Sequence, residues 1–158
     1  MGYFILILLS MLPVAELRGG IAVGVLQYDL GLMEAFLLGV GANIFSANLW
    51  FLILPRLVFF LEKHSKFVHR LLMIIFKKTH AKHSRKLKIW GEIFLIFFIA
   101  IPFPGSGGWT GAILAYLFNI KRKTAMILIS TGVFCSGIIV TFLLHEGIDL
   151  FMFFKNLS

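Results

Sequence analysis

The chain is short of cysteine, of carboxylates and of proline. Cys135 is the only cysteine in 158 residues. One thiol cannot close an intramolecular disulfide, and inside an apolar run its role is packing. Asp and Glu together number 7. What remains assembles no nucleophile–base–acid set and no cofactor fingerprint. Neither catalysis nor a cofactor is expected. His64, His69, His80 and His83 lie in a basic segment that has no thiol and, in Glu62, a single carboxylate, well away from His80 and His83 in sequence. His80-x-x-His83 therefore reads as solvated histidine, not as a metal site. The apolar start, Tyr3–Leu12, lacks the positive leader and small-x-small pattern of a cleaved signal peptide.

What the chain has is apolar surface. Hydrophobic residues make up 59% of it, with 18 Phe, and the mean hydropathy is +0.96. A soluble domain of this length could not bury so much. The sequence describes an all-α integral membrane protein. Its net charge of +8 is unevenly placed: ten of the 15 Lys and Arg fall in 56–88 and three in Lys121–Lys123. Positive charge beside apolar spans marks the cytoplasmic face. The connector 56–88 and the loop 119–123 are expected there, in a multi-pass protein of the cell (inner) membrane. The partners expected are membrane lipids and not nucleic acid.

Two segments follow one plan. Each is a short apolar run, a Pro and Gly break, a return run and a full-length span. Tyr3–Ala15 holds 13 residues, short of the roughly 20 a crossing helix needs. It ends in Pro13-Val14-Ala15-Glu16-Leu17-Arg18-Gly19-Gly20. The second break is Pro102-Phe103-Pro104-Gly105-Ser106-Gly107-Gly108-Trp109-Thr110-Gly111. A shift of 88 lays Gly19-Gly20 on Gly107-Gly108. The expected plan is two inverted repeats, each a re-entrant hairpin and one transmembrane helix. Repeat 1 is 1–55, with hairpin 3–29 and span 32–54 closed by Pro55. A basic amphipathic interfacial helix fills 56–87. Repeat 2 is 88–145, with hairpin 88–118 and span 125–144, and 146–158 is a tail. Hairpins turn back and each span crosses once, so the copies have opposite topology. The first hairpin has no flanking Lys or Arg and opens outward; the second is flanked by Lys86, Lys88 and Lys121–Lys123 and opens to the cytoplasm.

Re-entrant backbone is tolerated only against protein or a water-filled cavity, so the tips are expected side by side. Half-helices starting after Gly20 and after Gly108 would point free N–H groups at a common spot. With Arg18, Ser106 and Thr110 as donors, and Gly105, Gly107 and Gly108 allowing close approach, the spot suits an anion such as phosphate. Ionisable groups at membrane depth mark a pathway. Glu16 is the candidate proton carrier and is expected to meet the second tip. Asn43 is the residue of the first span expected to reach the site. The small-residue faces, Gly39, Gly41, Ala42, Ser46 and Ala47 on one span and Ser130, Thr131, Gly132, Ser136 and Gly137 on the other, read as helix packing.

Glu16-Leu17-Arg18-Gly19-Gly20-Ile21-Ala22-Val23-Gly24, together with Pro104-Gly105-Ser106-Gly107-Gly108-Trp109-Thr110-Gly111-Ala112, resembles a known family. The chain is similar to the putative small multidrug export proteins, relatives of the DedA (SNARE-associated, VTT-domain) superfamily. Family members often carry Pro where Ala22 stands. The resemblance implies inverted re-entrant hairpins around an intramembrane transport site. In the wider superfamily it implies movement of phospholipids or polyprenyl phosphates between leaflets, often with proton coupling. It falls on Glu16 and Arg18 in the first hairpin and on Pro104, Gly105, Gly108 and Trp109 in the second.

The first expectation is thus a transporter that moves an anionic, phosphate-bearing amphiphile between leaflets, with Arg18, Gly19, Gly20, Asn43, Gly105, Ser106, Gly107, Gly108, Trp109 and Thr110 at the substrate. Two spans make a small site, so a homodimer is a candidate arrangement. One alternative is a proton-coupled exporter of cationic drugs, with Glu16, Glu34, Trp50 and Trp109 lining an acidic, aromatic cavity. The other is a membrane organiser that transports nothing.

Overall fold

The computed structural model describes residues 1–64, 85–103 and 105–157, and of 62, 85–89 and 149–157 the backbone alone. The described residues form six helices. These are α1 Gly2–Met11, α2 Glu16–Tyr28, α3 Leu32–His64, α4 Arg85–Ala100, α5 Gly108–Leu117 and α6 Arg122–Leu157. Two are long and apolar enough to cross a membrane. They are Leu32–Leu61, with 30 residues at hydropathy 1.9, and Arg122–Ile148, with 27 residues at 2.3. At about 1.5 Å per residue each exceeds a hydrocarbon core of about 30 Å. The other four are too short: even α4, with 16 residues, reaches only about 24 Å.

The helices are apolar on most sides, so packing is decided by small residues more than by an amphipathic stripe. α1 and α2 lie against each other as a tight helical hairpin. A Cβ on Gly20 would overlap Ser10 Oγ and stand 2.7 Å from the Leu6 carbonyl. α4 lies along α6, where a Cβ on Gly132 would come within 2.7 Å of Ile99 Cβ. α3 and α6 pack together at the centre; α1, α2 and α5 lean on α3, and α2 also touches α6. The core joins Leu6, Leu17, Ile21, Leu95, Ile99, Ile129 and Val133. Phe4, Phe45, Phe97 and Phe142 point outward and are exposed, the inverse of a soluble surface and the right one for lipid.

α2 and α5 end alike. Asp29 and Asn119 each take a left-handed conformation, φ 50° and 51°. Leu30 N–H then reaches the Gly24 carbonyl at 3.1 Å and Ile120 N–H the Ala115 carbonyl at 3.1 Å. These bonds satisfy last-turn acceptors, and Asn and Asp tolerate the conformation better than other non-glycine residues.

Several boundaries differ from expectation. α2 starts at Glu16 and not after Gly20, because the turn is completed by residues 12–15. Gly19 and Gly20 therefore sit inside its first turns, and Gly20 serves contact with α1. α3 does not stop at Pro55 but runs through it to His64. Proline removes one N–H donor and crowds one carbonyl, and an exposed ring leaves the apolar contacts on the other side to carry the helix on. α6 absorbs the expected tail as far as Leu157. α5 starts at Gly108, as expected. Most of the amphipathic connector, 65–84, and Pro104 lie outside the described residues.

Candidate functional site: two helix breaks in contact

The first break is a single turn. Glu16 N–H bonds to the Leu12 carbonyl at 2.9 Å and Gly19 N–H to the Ala15 carbonyl at 2.9 Å. Glu16 has φ 50°, a left-handed conformation that costs a non-glycine residue about 1–2 kcal/mol. Such strain persists where surrounding contacts hold it and collects at functional sites. Here the holding contacts come from the other break.

The second break, residues 101–107, is longer and made mostly of backbone. Phe103 N–H bonds to the Ile101 carbonyl at 2.8 Å, and Ser106 N–H to the Phe103 carbonyl at 3.0 Å. The Ser106 hydroxyl lies 2.7 Å from the Ile101 carbonyl and 2.9 Å from that of Phe103. Gly105, at φ 86°, makes the left-handed bend.

The first break grips the second at both ends. Arg18 Nη1 donates to the Phe103 carbonyl. Its Nη2 donates to the Ser106 carbonyl and lies 3.3 Å from that of Ile101. A guanidinium thus meets the carbonyl-rich C-terminal end of α4, where acceptors lack intrahelical donors. The Glu16 carboxylate, on a residue only 7% exposed, lies beside the start of α5, near the backbone N–H of Trp109. It also packs against Gly107, where any Cβ would overlap it. That is the N-terminal end of α5, where free N–H groups and the helix dipole favour an anion. Glu16 thus sits at the start of α5, and Arg18, two residues on, binds carbonyls along the break that precedes it.

α3 supplies the wall. Asn43, fully buried, donates Nδ2 to the Ser10 carbonyl at 2.7 Å. Its Oδ1 lacks a partner and faces Gly108, whose Cβ would stand 2.9 Å away. Ser10 Oγ is buried and unpartnered as well. The Trp50 and Trp109 rings stack at 4.7 Å and 34°. Towards α6, Asn48 Nδ2 bonds Ser130 Oγ at 3.0 Å.

Glu16, Arg18, Asn43, Ser106, Gly107, Gly108 and Trp109 thus meet at one place, with Thr110 half-buried on the same helical turn. Gly20 faces its own hairpin and Gly105 lies exposed, with nothing within 4 Å of a Cβ. Glu34 belongs elsewhere: it accepts from Tyr3 Oη at 2.9 Å. Sequence reasoning missed Ser10, the one serine within the apolar run of α1. It also missed the carbonyls of Ile101 and Phe103, whose only signal was their place at a helix end before proline.

Long apolar helices, an apolar outer face and polar groups gathered at two broken helices define a small, all-helical membrane protein. A family model described as putative small multi-drug export protein matches residues 16–139, and the chain belongs to that family. No curated protein and no solved structure matches it. Among the described residues no group of three or more His, Cys, Asp or Glu could hold a metal.

Proposed function

We propose that this protein exports small lipophilic cations across the cell membrane in exchange for protons. The buried Glu16 carboxylate at the joint between the two breaks is the observation that carries the reading, and the family's description supports it. Glu16 is the proton-coupling group. Ionised, its carboxylate holds the α5 N-terminus. Protonated, it loses its attraction to that dipole, and the tips are free to separate. A bound cation would compete with the proton for the same carboxylate, which is what exchange requires. Asn43, Trp50 and Trp109 would line the space that opens, and Arg18 would keep the end of α4 closed throughout. This work is transport, not catalysis.

In this reading α1–α2 and α4–α5 are re-entrant hairpins dipping from opposite leaflets, and the halves are inverted repeats. Adding 88 to the last residues of α1 and α2 and the first of α3 gives 99, 116 and 120, against 100, 117 and 122 in the second half. Each half's first helix packs on its own long helix, and each half's second helix touches the long helix of the other. Both facts support reading the halves as a repeated pair. Arg56, Lys63, Lys121, Arg122 and Lys123 gather at one end of the long helices, the cytoplasmic end by their charge.

An anionic lipid head group is the less favoured cargo. It would have to displace Glu16 from the α5 N-terminus and draw Arg18 off three backbone carbonyls. The test is reconstitution into vesicles, with a cationic dye and a fluorescent anionic lipid measured side by side, with and without a pH gradient. Gradient-dependent dye movement without lipid movement is expected. Lipid movement alone would replace this reading with lipid translocation, and no flux of either would leave an organiser.

A further inference from the structure

Away from the breaks lie two grooves that share Leu32, one between α3 and α6 and the other between the end of α2 and α6. The first, about 390 Å³, is walled by Met33, Phe36, Ile138, Thr141, Phe142 and His145. The second, about 670 Å³, is walled by Val25, Leu26, Asp29, Leu30, Leu143 and Ile148, among others. Both fall within the roughly 300–1,000 Å³ of small-molecule sites.

Three features say what would fit. The walls are apolar, with the rings of Phe36 and Phe142 in the first groove, and aromatic faces attract cations. Thr141 Oγ1, in the same wall, is buried without a hydrogen-bond partner. The wall of the second groove carries a carboxylate, Asp29; Glu146, exposed on α6, lines neither groove. Among the described side chains no Lys or Arg lines either groove. Lys155 follows Ile148 by about 10 Å along α6. The positive charge of α3 and α6 gathers at their opposite ends.

We propose that these grooves form a binding site for an amphiphilic aromatic cation, its rings between Phe36 and Phe142 and its charge towards Asp29. A second copy of the chain docked symmetrically here would set the two Asp29 carboxylates against each other. An anionic lipid would meet the same repulsion. The ligand class is that of the export reading, but the site is separate from Glu16, and binding at equilibrium needs no transport.

The probe is tetraphenylphosphonium, with tetraphenylborate as its anionic twin, measured by equilibrium dialysis on the full chain in nanodiscs against empty nanodiscs. The phosphonium is expected to bind above background and the borate not. Asp29→Asn, which keeps a residue tolerant of the left-handed cap, should weaken phosphonium binding about fivefold. Phe142→Leu, which fills similar space without a ring, should weaken it by a similar factor. Phe59→Ala, far along α3, should leave it unchanged. Loss of phosphonium binding in Glu16→Gln with wild-type affinity in Asp29→Asn and Phe142→Leu would put the cation at the helix breaks and overturn the groove site, which separates this proposal from the previous one. Equal binding of both ions, or wild-type affinity in Asp29→Asn and Phe142→Leu, overturns the site. So does efficient self-cross-linking of Ile138→Cys that blocks phosphonium binding, which would make the groove an interface between copies.

Discussion

The two breaks answer one need in opposite ways. The first takes only residues 12–15 between helices and hands its charges, Glu16 and Arg18, to the helix that follows. The second takes 101–107 and carries no ionisable side chain. Backbone at membrane depth must find partners inside the protein. The long break leaves more carbonyls open than Ser106 can serve, and the short break supplies the missing donor. The lesson is a division of labour: the two charges beside the first break complete the backbone of the second.

The comparison breaks hardest at Arg18. Arg18→Ala removes the donor to the Phe103 and Ser106 carbonyls and should cost about 3 kcal/mol or more, read as a fall in Tm in detergent. Arg18→Lys should recover less than half, because an ammonium cannot fork across separate acceptors. Gly107→Ala comes next, about 1–3 kcal/mol, since its methyl would enter the space of the Glu16 carboxylate. Combining it with Glu16→Ala should cost clearly less than the sum, and strict additivity in that cycle would mean the two do not touch. Gly105→Ala meets no neighbour but has φ 86°, so about 1 kcal/mol of backbone strain is expected. Asn48→Leu is the mildest: it drops the bond to Ser130, and a loss under about 1 kcal/mol follows if the side chain packs.

Much of this was legible in the sequence because the breaks are written in proline, glycine and charge. The run Gly105–Gly108 announces a sharp turn, and an ionisable Glu16 inside apolar sequence announces a partner across the joint. The start of α2 was not legible, since Gly19-Gly20 reads as a turn although both lie within the helix and Gly20 makes close contact with Ser10 and Leu6. The continuation of α3 through Pro55 was hidden because contacts outweigh one lost hydrogen bond. The role of Arg18 was read as anion binding because its actual acceptors are backbone carbonyls, which leave no mark in side-chain identity. The bond from Asn43 to the Ser10 carbonyl was hidden for the same reason.

The account rests on Glu16 joining the two halves through a carboxylate that takes up and releases a proton. The direct test counts protons against dye cations in vesicles carrying wild type or Glu16→Gln. Wild type should accumulate the dye on the acidic side and dissipate the gradient as it does so. Glu16→Gln, folded and with its Tm within a few degrees of wild type, should do neither. Wild-type coupling in Glu16→Gln would contradict the account.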